Sequence, residues 1–323
     1  MIQNRKSLYT DVNGMEVRDD VVPLFDLAAN DGDVHDFIAD IVPSHWHSEL
    51  EVFLLLEGRV RVGIGEEVHE IEPGGGCFIN AGVIHSVTAL VDEPCRYRSF
   101  VFDAGILAGM PGSAFDVKYI RPLTESGPSY VFLDYRGADA ACLDAFGRAF
   151  DACALEDAGF EFRVREALTR LIWEVIQKSR VSPTRAAADI GETRLKQMLT
   201  FMDAHIGAAV TLADIAASAN VCPRECQRIF GRYLHERPMA YMQRIRVFHA
   251  AQMLSGTGKS VTEIALDCGF SSPGYFARKF QQVTGQTPTG YRGGTLGLRP
   301  KPHQKPEVSG LPTLNSIVKQ WNL

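Results

Sequence analysis

Four residues in the first third of the chain carry side chains that bind transition metals. His45, His47 and Glu51 are spaced two and four residues apart, and His85 follows further along the chain. Imidazole nitrogens and carboxylate oxygens are common ligands of Fe, Mn, Ni, Zn and Cu, so this set would suit a divalent transition metal. The same side chains can also hydrogen-bond a polar small molecule, or one another, without a metal. Residue types and spacing leave these alternatives open.

The segment that must position these residues has the pattern of short β-strands. Between Asp36 and Phe102, β-branched and aromatic runs are broken by Gly, Glu-Gly and Pro-Gly turns. Many short strands at close spacing predict a sandwich or small barrel, which commonly encloses a cavity. On one extended strand, His45, His47 and Glu51 would share a face because even steps separate them, and His85 would reach them from a returning strand. We therefore expect the four side chains to line a pocket.

Residues 139–178 change to a helical period, with apolar residues at three- and four-residue intervals. The apolar stripe is wider than packing on the chain's own barrel requires, which predicts a homodimer formed through this segment. The alternative is that the stripe packs entirely within the chain. The stripe consists of Phe146, Phe150, Leu168, Leu171, Ile172 and Val175.

Charge is distributed unevenly along the 323 residues. Residues 1–193 hold 17 Lys and Arg against 32 Asp and Glu, whereas residues 194–300 hold 13 against 6. A basic C-terminal half predicts a polyanionic partner such as DNA. The first twenty residues lack the apolar core of a signal peptide, no stretch has the length and apolarity of a membrane span, and the seven cysteines are scattered. These features predict a cytoplasmic protein without a membrane partner.

Two segments of the basic half repeat one design, at residues 211–234 and 260–283. Each begins with a helix-capping residue, Thr211 or Ser260, continues through a short helix and a turn, and ends in a second helix that contains Arg and Phe. This order predicts two helix-turn-helix motifs, whose second helices enter the major groove of DNA. Met239 to Leu254 is predicted as one continuous helix between them.

The stretch from Arg194 to Arg292 resembles the DNA-binding domain of the AraC/XylS family of bacterial transcription regulators. The resemblance is carried by "ADIA", "CQRIFGRY", "PMAYMQRIRVFHAAQML" and "VTEIALDCGFSSPGYFARKFQQVTGQTPTGYR". It implies recognition helices at Pro223–Tyr233 and Ser272–Val283, with double-stranded DNA and RNA polymerase as partners.

Because Arg reads guanine and Gln can read adenine, Arg224, Gln227 and Arg228 are the predicted base contacts of the first recognition helix. Arg246 and Lys259 could be either phosphate contacts or solvated charges. Cys222 stands where a Ser cap is expected, which predicts a weaker start of the first recognition helix. In the second helix, Pro273-Gly274 replaces longer polar side chains, which predicts fewer base contacts there. The full predicted DNA-binding set is Arg224, Glu225, Gln227, Arg228, Arg232, Ser272, Pro273, Gly274, Tyr275, Arg278 and Lys279.

The N-terminal motif His45-x-His47-x3-Glu51-x6-Gly58, with "GGGCFINAGVIH" at residues 74–85, resembles the two motifs of the cupin fold. Asn80 stands where cupin enzymes commonly carry Pro. Beside an AraC-type domain, a cupin implies a dimer-forming sensor of a small-molecule effector, with a sugar or sugar acid as the family-level expectation. The alternative is a metal-dependent cupin enzyme, an oxygenase or isomerase, attached to a DNA-binding module. We predict no catalytic residue and no required cofactor.

The predicted chain is therefore multidomain. An N-terminal β-barrel or jelly roll of cupin type, with a helical dimerisation segment, spans residues 1–180 and is followed by a linker at 181–193. An all-α DNA-binding domain with two helix-turn-helix motifs spans 194–293, and a flexible tail spans 294–323. Effector identity, operator sequence and the choice between activation and repression stay open.

Overall fold

The computed structural model describes residues 2–4, 25–179 and 190–297. The described residues form two compact units, 2–4 with 25–179 and 190–297. Most of the predicted linker (181–189) and of the predicted tail (298–323) lie outside the described residues. Within the described ranges, no helix combines the length and apolarity needed to cross a membrane.

The first unit is built from strands in two sheets that pack face to face. The larger sheet has the strand order β1-β2-β9-β4-β7-β10 and the smaller one the order β3-β8-β5-β6. All pairings are antiparallel except that of β1 with β2. The strands are β1 (Ile2–Gln3), β2 (Leu27–Asp33), β3 (Ile41–His45), β4 (Leu50–Leu55), β5 (Val60–Ile64), β6 (Glu67–Ile71), β7 (Gly75–Ile79), β8 (His85–Ala89), β9 (Arg96–Phe102) and β10 (Tyr130–Asp134).

Helices cover the outer face of the larger sheet. They are α1 (Gly105–Ala108), α2 (Arg121–Ser126), α3 (Ala140–Leu155) and α4 (Phe160–Ser179), and a π-helical turn (Asp116–Ile120) precedes α2. Two 3₁₀ turns, Val34–Asp36 and Ile38–Asp40, join β2 to β3. The predicted class, a β jelly roll with a helical segment, is confirmed.

The central strands of the larger sheet supply two separate cores because alternate residues point to opposite faces. On β4, Leu50, Val52 and Leu54 join the core shared with α3 and α4. Phe53 and Leu55 join the core between the two sheets. Glu51 has the same parity as Phe53, so the strand directs its carboxylate into the space between the sheets.

The apolar stripe predicted to form a dimer is buried within the chain. All six of its residues are at most 1% exposed and belong to the core that α3 and α4 share with the larger sheet. The predicted interface through these residues is therefore wrong. The physical reason is that the sheet presents a broad apolar face, including Phe100 and Phe102, which needs both helices to cover it.

The second unit is entirely helical across its described residues. Thr211 and Ser260 both form capping boxes, with Asp214 and Glu263 respectively, as their positions before the short helices predict. The helices are α5 (Ile190–Ala204), α6 (Leu212–Ser218), α7 (Pro223–Tyr233), α8 (Pro238–Gly256), α9 (Val261–Asp267), α10 (Pro273–Thr284) and α11 (Pro288–Gly297). The predicted all-α class with two helix-turn-helix pairs, α6–α7 and α9–α10, is confirmed.

Candidate functional sites

His45, His47, Glu51 and His85, hereafter the His/Glu cluster, converge in the first unit. One ligand atom from each lies within 4.8 Å of all the others. His45 ends β3 and His85 begins β8, and the two residues pair across the smaller sheet. Glu51 comes from β4 of the larger sheet. The cluster therefore joins the two sheets across the interior.

His47 lies in the connection between β3 and β4, so the expectation that one extended strand carries His45, His47 and Glu51 is wrong. The register of β3 shifts between Val42 and His45, and the chain then turns into the other sheet. Gly82 N–H donates to the carbonyl of His47 at 2.7 Å, which holds this connection against the β7–β8 turn. The ring centroids of His45 and His47 are 5.8 Å apart.

Each imidazole of the cluster is held by a backbone carbonyl. The Nδ1 atoms lie 2.8 Å from Pro43 O for His45, 3.1 Å from Glu49 O for His47 and 2.9 Å from Val83 O for His85. A carbonyl can only accept, so each Nδ1 carries a proton, and Nε2 is the nitrogen that can either donate to a carboxylate or, once deprotonated, bind a metal. Outer hydrogen bonds of this kind fix the tautomer and orientation of metal-binding histidines.

Glu51 Oε2 lies 3.3 Å from His47 Nε2 and 3.0 Å from His85 Nε2. Burial alone would raise the pKa of Glu51, but hydrogen bonds and charge from His47 and His85 hold that pKa well below its usual range. Burial, together with the neighbouring His85 and His47, holds the pKa of His45 well below its usual range. An ionised carboxylate and a neutral imidazole are the protonation states in which these side chains bind metals.

A cavity of about 50 Å³ opens beside the cluster, between the two sheets. His45, Glu51 and His85 line one end, and Asn30 and Ser99 line another part of its wall. Apolar and aromatic side chains, including Phe37, Phe53 and Tyr97, fill the rest of the wall. Sequence reasoning missed Asn30 because "LAANDGD" in β2 has no apolar alternation and is typical of a turn. It missed Ser99 because a lone serine in the apolar run "RYRSFVF" of β9 gives no sign of a cavity.

Asn80 has a structural role that accounts for its place in the second cupin-like motif. It is fully buried, and its Nδ2 donates to Leu123 O at 2.7 Å and to Pro128 O at 2.9 Å. Its Oδ1 accepts from Ala81 N–H at 2.8 Å. Proline has no side-chain donor, so Asn at this position fastens the end of β7 to the segment before β10 in a way that Pro could not.

The first recognition helix is α7, whose bounds coincide with the predicted ones. Arg224, Gln227, Arg228 and Arg232 are exposed and Glu225 is half-buried, while Cys226, Ile229, Phe230 and Tyr233 face the core. Cys222 occupies the N-cap and makes no side-chain hydrogen bond to the helix. The expected weak cap is therefore present.

The second recognition helix is α10, and Ser272 caps it by accepting from Tyr275 N–H at 3.3 Å. Pro273, Gly274 and Arg278 are exposed, and Tyr275 and Lys279 are half-buried. Phe276 and Phe280 are fully buried and hold the helix in the unit. The contacts of these side chains with DNA stay a prediction.

Arg246 is neither a phosphate contact nor a solvated charge, so both alternatives predicted for it are wrong. Its side chain is buried on α8, and Nε and Nη1 donate to Ile206 O at 2.9 Å and Gly269 O at 3.0 Å. Nη2 donates to Ala208 O. Ile206 and Ala208 lie between α5 and α6, and Gly269 lies in the turn of the second helix-turn-helix, so Arg246 ties the segment that leads into the first motif to the second motif. Lys259 instead pairs with Asp267 at 2.8 Å on the surface.

The sequence matches two family models in the same order as the two units. Residues 31–187 match the AraC-like ligand binding domain, and residues 215–294 match a helix-turn-helix domain. A ligand-binding domain followed by a DNA-binding helix-turn-helix domain defines a ligand-responsive transcription regulator.

Relatives of similar length are regulators as well. The chain is 28% identical to the helix-turn-helix transcriptional regulator YdeC of Bacillus subtilis, over 80% of this chain and 89% of that protein. It is 24% identical to the melibiose operon regulatory protein of Escherichia coli, over 77% of this chain and 83% of that protein. Among solved structures, ToxT of Vibrio cholerae aligns with 77% of this chain and 90% of its own, at 12% identity and a TM-score of 0.41. The chain belongs to the AraC family of transcriptional regulators.

Proposed function

We propose that this regulator senses its effector at the His/Glu cluster and that the cluster holds a divalent transition metal. The observation that carries the proposal is the convergence of four donor atoms within 4.8 Å inside an AraC-type ligand-binding domain. The donor set fits such an ion, because three carbonyl-anchored imidazoles and one ionised carboxylate are ligands of Fe, Mn, Ni, Zn and Cu. The ion would supply a fixed positive charge for an anionic or hydroxylated effector.

We further propose that the chain acts as a sensor and is not an enzyme. Its relatives carry the names of transcriptional regulators. The second candidate, a metal-dependent cupin enzyme joined to a DNA-binding module, is favoured by the complete ligand set. Turnover separates the two: only the enzyme consumes a candidate substrate when the Fe- or Mn-loaded protein is incubated with it.

The proposed partners are a homodimeric second copy, RNA polymerase and operator DNA in the cytoplasm. A dimer is supported by exposed aromatic side chains on α4, since Phe162 is 80% and Trp173 is 42% exposed. The effector that we propose is a sugar acid or another small hydroxylated anion. The name of the melibiose operon regulatory protein supports a carbohydrate-related effector, and the positive charge of a bound ion supports an acid.

Metal analysis of the full-length protein tests this proposal. Wild-type protein is expected to retain about one divalent ion per chain after dialysis, and Glu51→Gln is expected to lose it because an amide binds such ions weakly. His69→Ala is the matched control: His69 pairs with Glu67 on the surface, so its loss should leave the metal content unchanged. Equal metal content in wild type and Glu51→Gln would refute the metal site.

A further inference from the structure

The cavity beside the His/Glu cluster has a second polar element, formed by Asn30 of β2 and Ser99 of β9. Both side chains are buried, with 4% and 2% of their surfaces exposed. Asn30 Nδ2 lies 3.1 Å from Ser99 Oγ, and the two residues pair directly across the strands. Both line the cavity that also contacts Glu51.

The strand register fixes where this pair lies relative to the cluster. Ser99 pairs with Phe53, and Val101 pairs with Glu51, so Asn30 and Ser99 lie one inward-facing layer along the sheet from the carboxylate. Two residues along a strand correspond to roughly 7 Å. A compact ligand can therefore contact the cluster with one end and the Asn30–Ser99 pair with the other.

Asn30 has an unmet hydrogen-bonding capacity in this wall. Its Oδ1 is fully buried and has no hydrogen-bond partner among the described residues. Leaving a buried polar atom unpaired is destabilising, and native proteins rarely do so without a ligand or water. A hydroxyl group satisfies the amide in either of its two orientations, because it can both donate and accept.

The charge of the His/Glu cluster determines which chemical group of the ligand can bind there. Three neutral imidazoles and one carboxylate leave a divalent ion with one net positive charge, which favours a monoanion. A carboxylate with a neighbouring hydroxyl matches this charge and offers hard oxygen atoms to the ion. The cavity of about 50 Å³ has room for roughly four water molecules, so only a compact molecule or the compact end of a larger one fits.

We propose that Asn30 and Ser99 form the specificity subsite of the effector pocket, which receives a distal hydroxyl of a small α-hydroxycarboxylate held at the His/Glu cluster. This inference rests on the proposed metal-binding function of the cluster. Asn30 then distinguishes a polyhydroxylated acid from its deoxy analogue, because the analogue leaves the buried amide unpaired.

Two probes that differ by one hydroxyl test the proposal, namely glycerate (2,3-dihydroxypropanoate) and lactate (2-hydroxypropanoate). The full-length protein is loaded with Co²⁺, whose visible absorption reports binding at the cluster, and each acid is titrated to obtain its midpoint. Wild-type protein is expected to bind glycerate roughly tenfold more tightly than lactate, the effect of one neutral hydrogen bond. Asn30→Leu should bind both acids with equal midpoints while keeping its Co²⁺.

Further variants keep the test interpretable. Ser99→Ala should partly reduce the preference for glycerate over lactate, because Asn30 loses the hydroxyl that orients it. Val87→Ala changes the same cavity without removing a polar group and should keep the preference. A folded Asn30→Leu protein that retains the preference, or wild-type protein that binds Co²⁺ without preferring glycerate, overturns the subsite alone. Wild-type protein that binds no Co²⁺ overturns the metal-binding function and the subsite with it.

Discussion

Arg228 donates from Nε and Nη2 to the two carboxylate oxygens of Glu225, at 2.7 Å each, on the outer face of the first recognition helix. The pair lies one helical turn apart, and Arg228 is among the predicted base contacts. A bidentate ion pair holds a guanidinium in one orientation, so Glu225 positions Arg228 before any DNA is bound. Glu225 also places a negative charge on the surface that is predicted to face DNA phosphates.

The Glu225–Arg228 pair leads to a prediction about DNA specificity. Arg228→Ala is expected to cost about 1–3 kcal/mol at one base pair of the operator, because a bidentate base contact is lost. Glu225→Gln should instead strengthen binding to unrelated duplex DNA, because a negative charge is removed from the interface. Operator and unrelated duplexes are titrated in parallel at several salt concentrations. Unchanged operator binding by Arg228→Ala would show that α7 does not read bases through this residue.

The two recognition helices differ in their N-caps, which predicts opposite effects of two small substitutions. Cys222→Ser should stabilise α7 by about 0.5–1 kcal/mol, because a hydroxyl can accept the hydrogen bond that Cys222 does not make. Ser272→Ala should destabilise α10 by a comparable amount, because the bond from Tyr275 N–H is lost. Thermal denaturation of both variants and of the wild-type protein measures the two stability changes. A Cys222→Ser protein no more stable than wild type would contradict the cap argument.

Arg246 is expected to be the most sensitive charged residue of the helical unit. Arg246→Ala removes the buried guanidinium that donates to the carbonyls of Ile206, Ala208 and Gly269, which should cost about 1–3 kcal/mol of the free energy of unfolding. Because Arg246 ties the segment between α5 and α6 to the turn of the second motif, a folded Arg246→Leu protein should lose affinity for the full operator more than for a half-site. Arg224→Ala, an exposed arginine, is the control for stability. Denaturant unfolding that leaves the two variants equally stable would refute this role.

His47→Ala should abolish the response to the effector while leaving basal DNA binding intact. The reason is that His47 belongs to one compact unit and the recognition helices belong to the other. Loss of the buried ring could also destabilise the first unit by about 1–3 kcal/mol, so thermal denaturation must accompany the transcription assay. Effector-dependent transcription that persists in a folded His47→Ala protein would place the sensing site elsewhere.

The dimer, if α4 forms it, depends on side chains other than the buried stripe. Substituting Phe162→Ser and Trp173→Ser together should shift the full-length protein toward the monomer, because these aromatic groups are the exposed apolar surface of α4. Val68→Ser removes an exposed apolar side chain from β6 and should leave the dimer unchanged. Sedimentation at tens of micromolar measures the oligomeric state of the wild type, of the double variant and of Val68→Ser. A strictly monomeric wild-type profile would refute the dimer itself.

Local patterns were sufficient to predict much of this architecture. The capping residues Thr211 and Ser260 and the bounds of α7 are properties of a few neighbouring residues, and the structure agrees with both. The position of His47 could not be predicted, because it depends on a register shift in β3 and a change of sheet. The width of the apolar stripe on α3 and α4 was visible in the sequence. The sequence did not show that the larger sheet of the same chain covers this stripe.

Asn30 illustrates a different limit of sequence reasoning. The residues of β2 are mostly small or polar and have low strand propensity, yet they form a strand because β9 pairs with all seven of them. Asp31, the next residue, faces the other side of the sheet and binds the buried Arg98 at 3.0 Å. Only the tertiary pairing shows that these two polar neighbours serve different surfaces.

The strict alternation of the larger sheet has a consequence for how this sensor can acquire new ligands. Inward positions such as Asn30, Glu51 and Ser99 face the cavity, whereas the residues between them hold α3 and α4. If the cavity is the effector pocket, as we propose, randomised libraries confined to inward positions would alter the recognised molecule while leaving the helix-bearing face at its native sequence. On each strand, the positions that face the cavity are separate from the positions that pack against the helices. This separation makes the domain a suitable starting point for evolving biosensors.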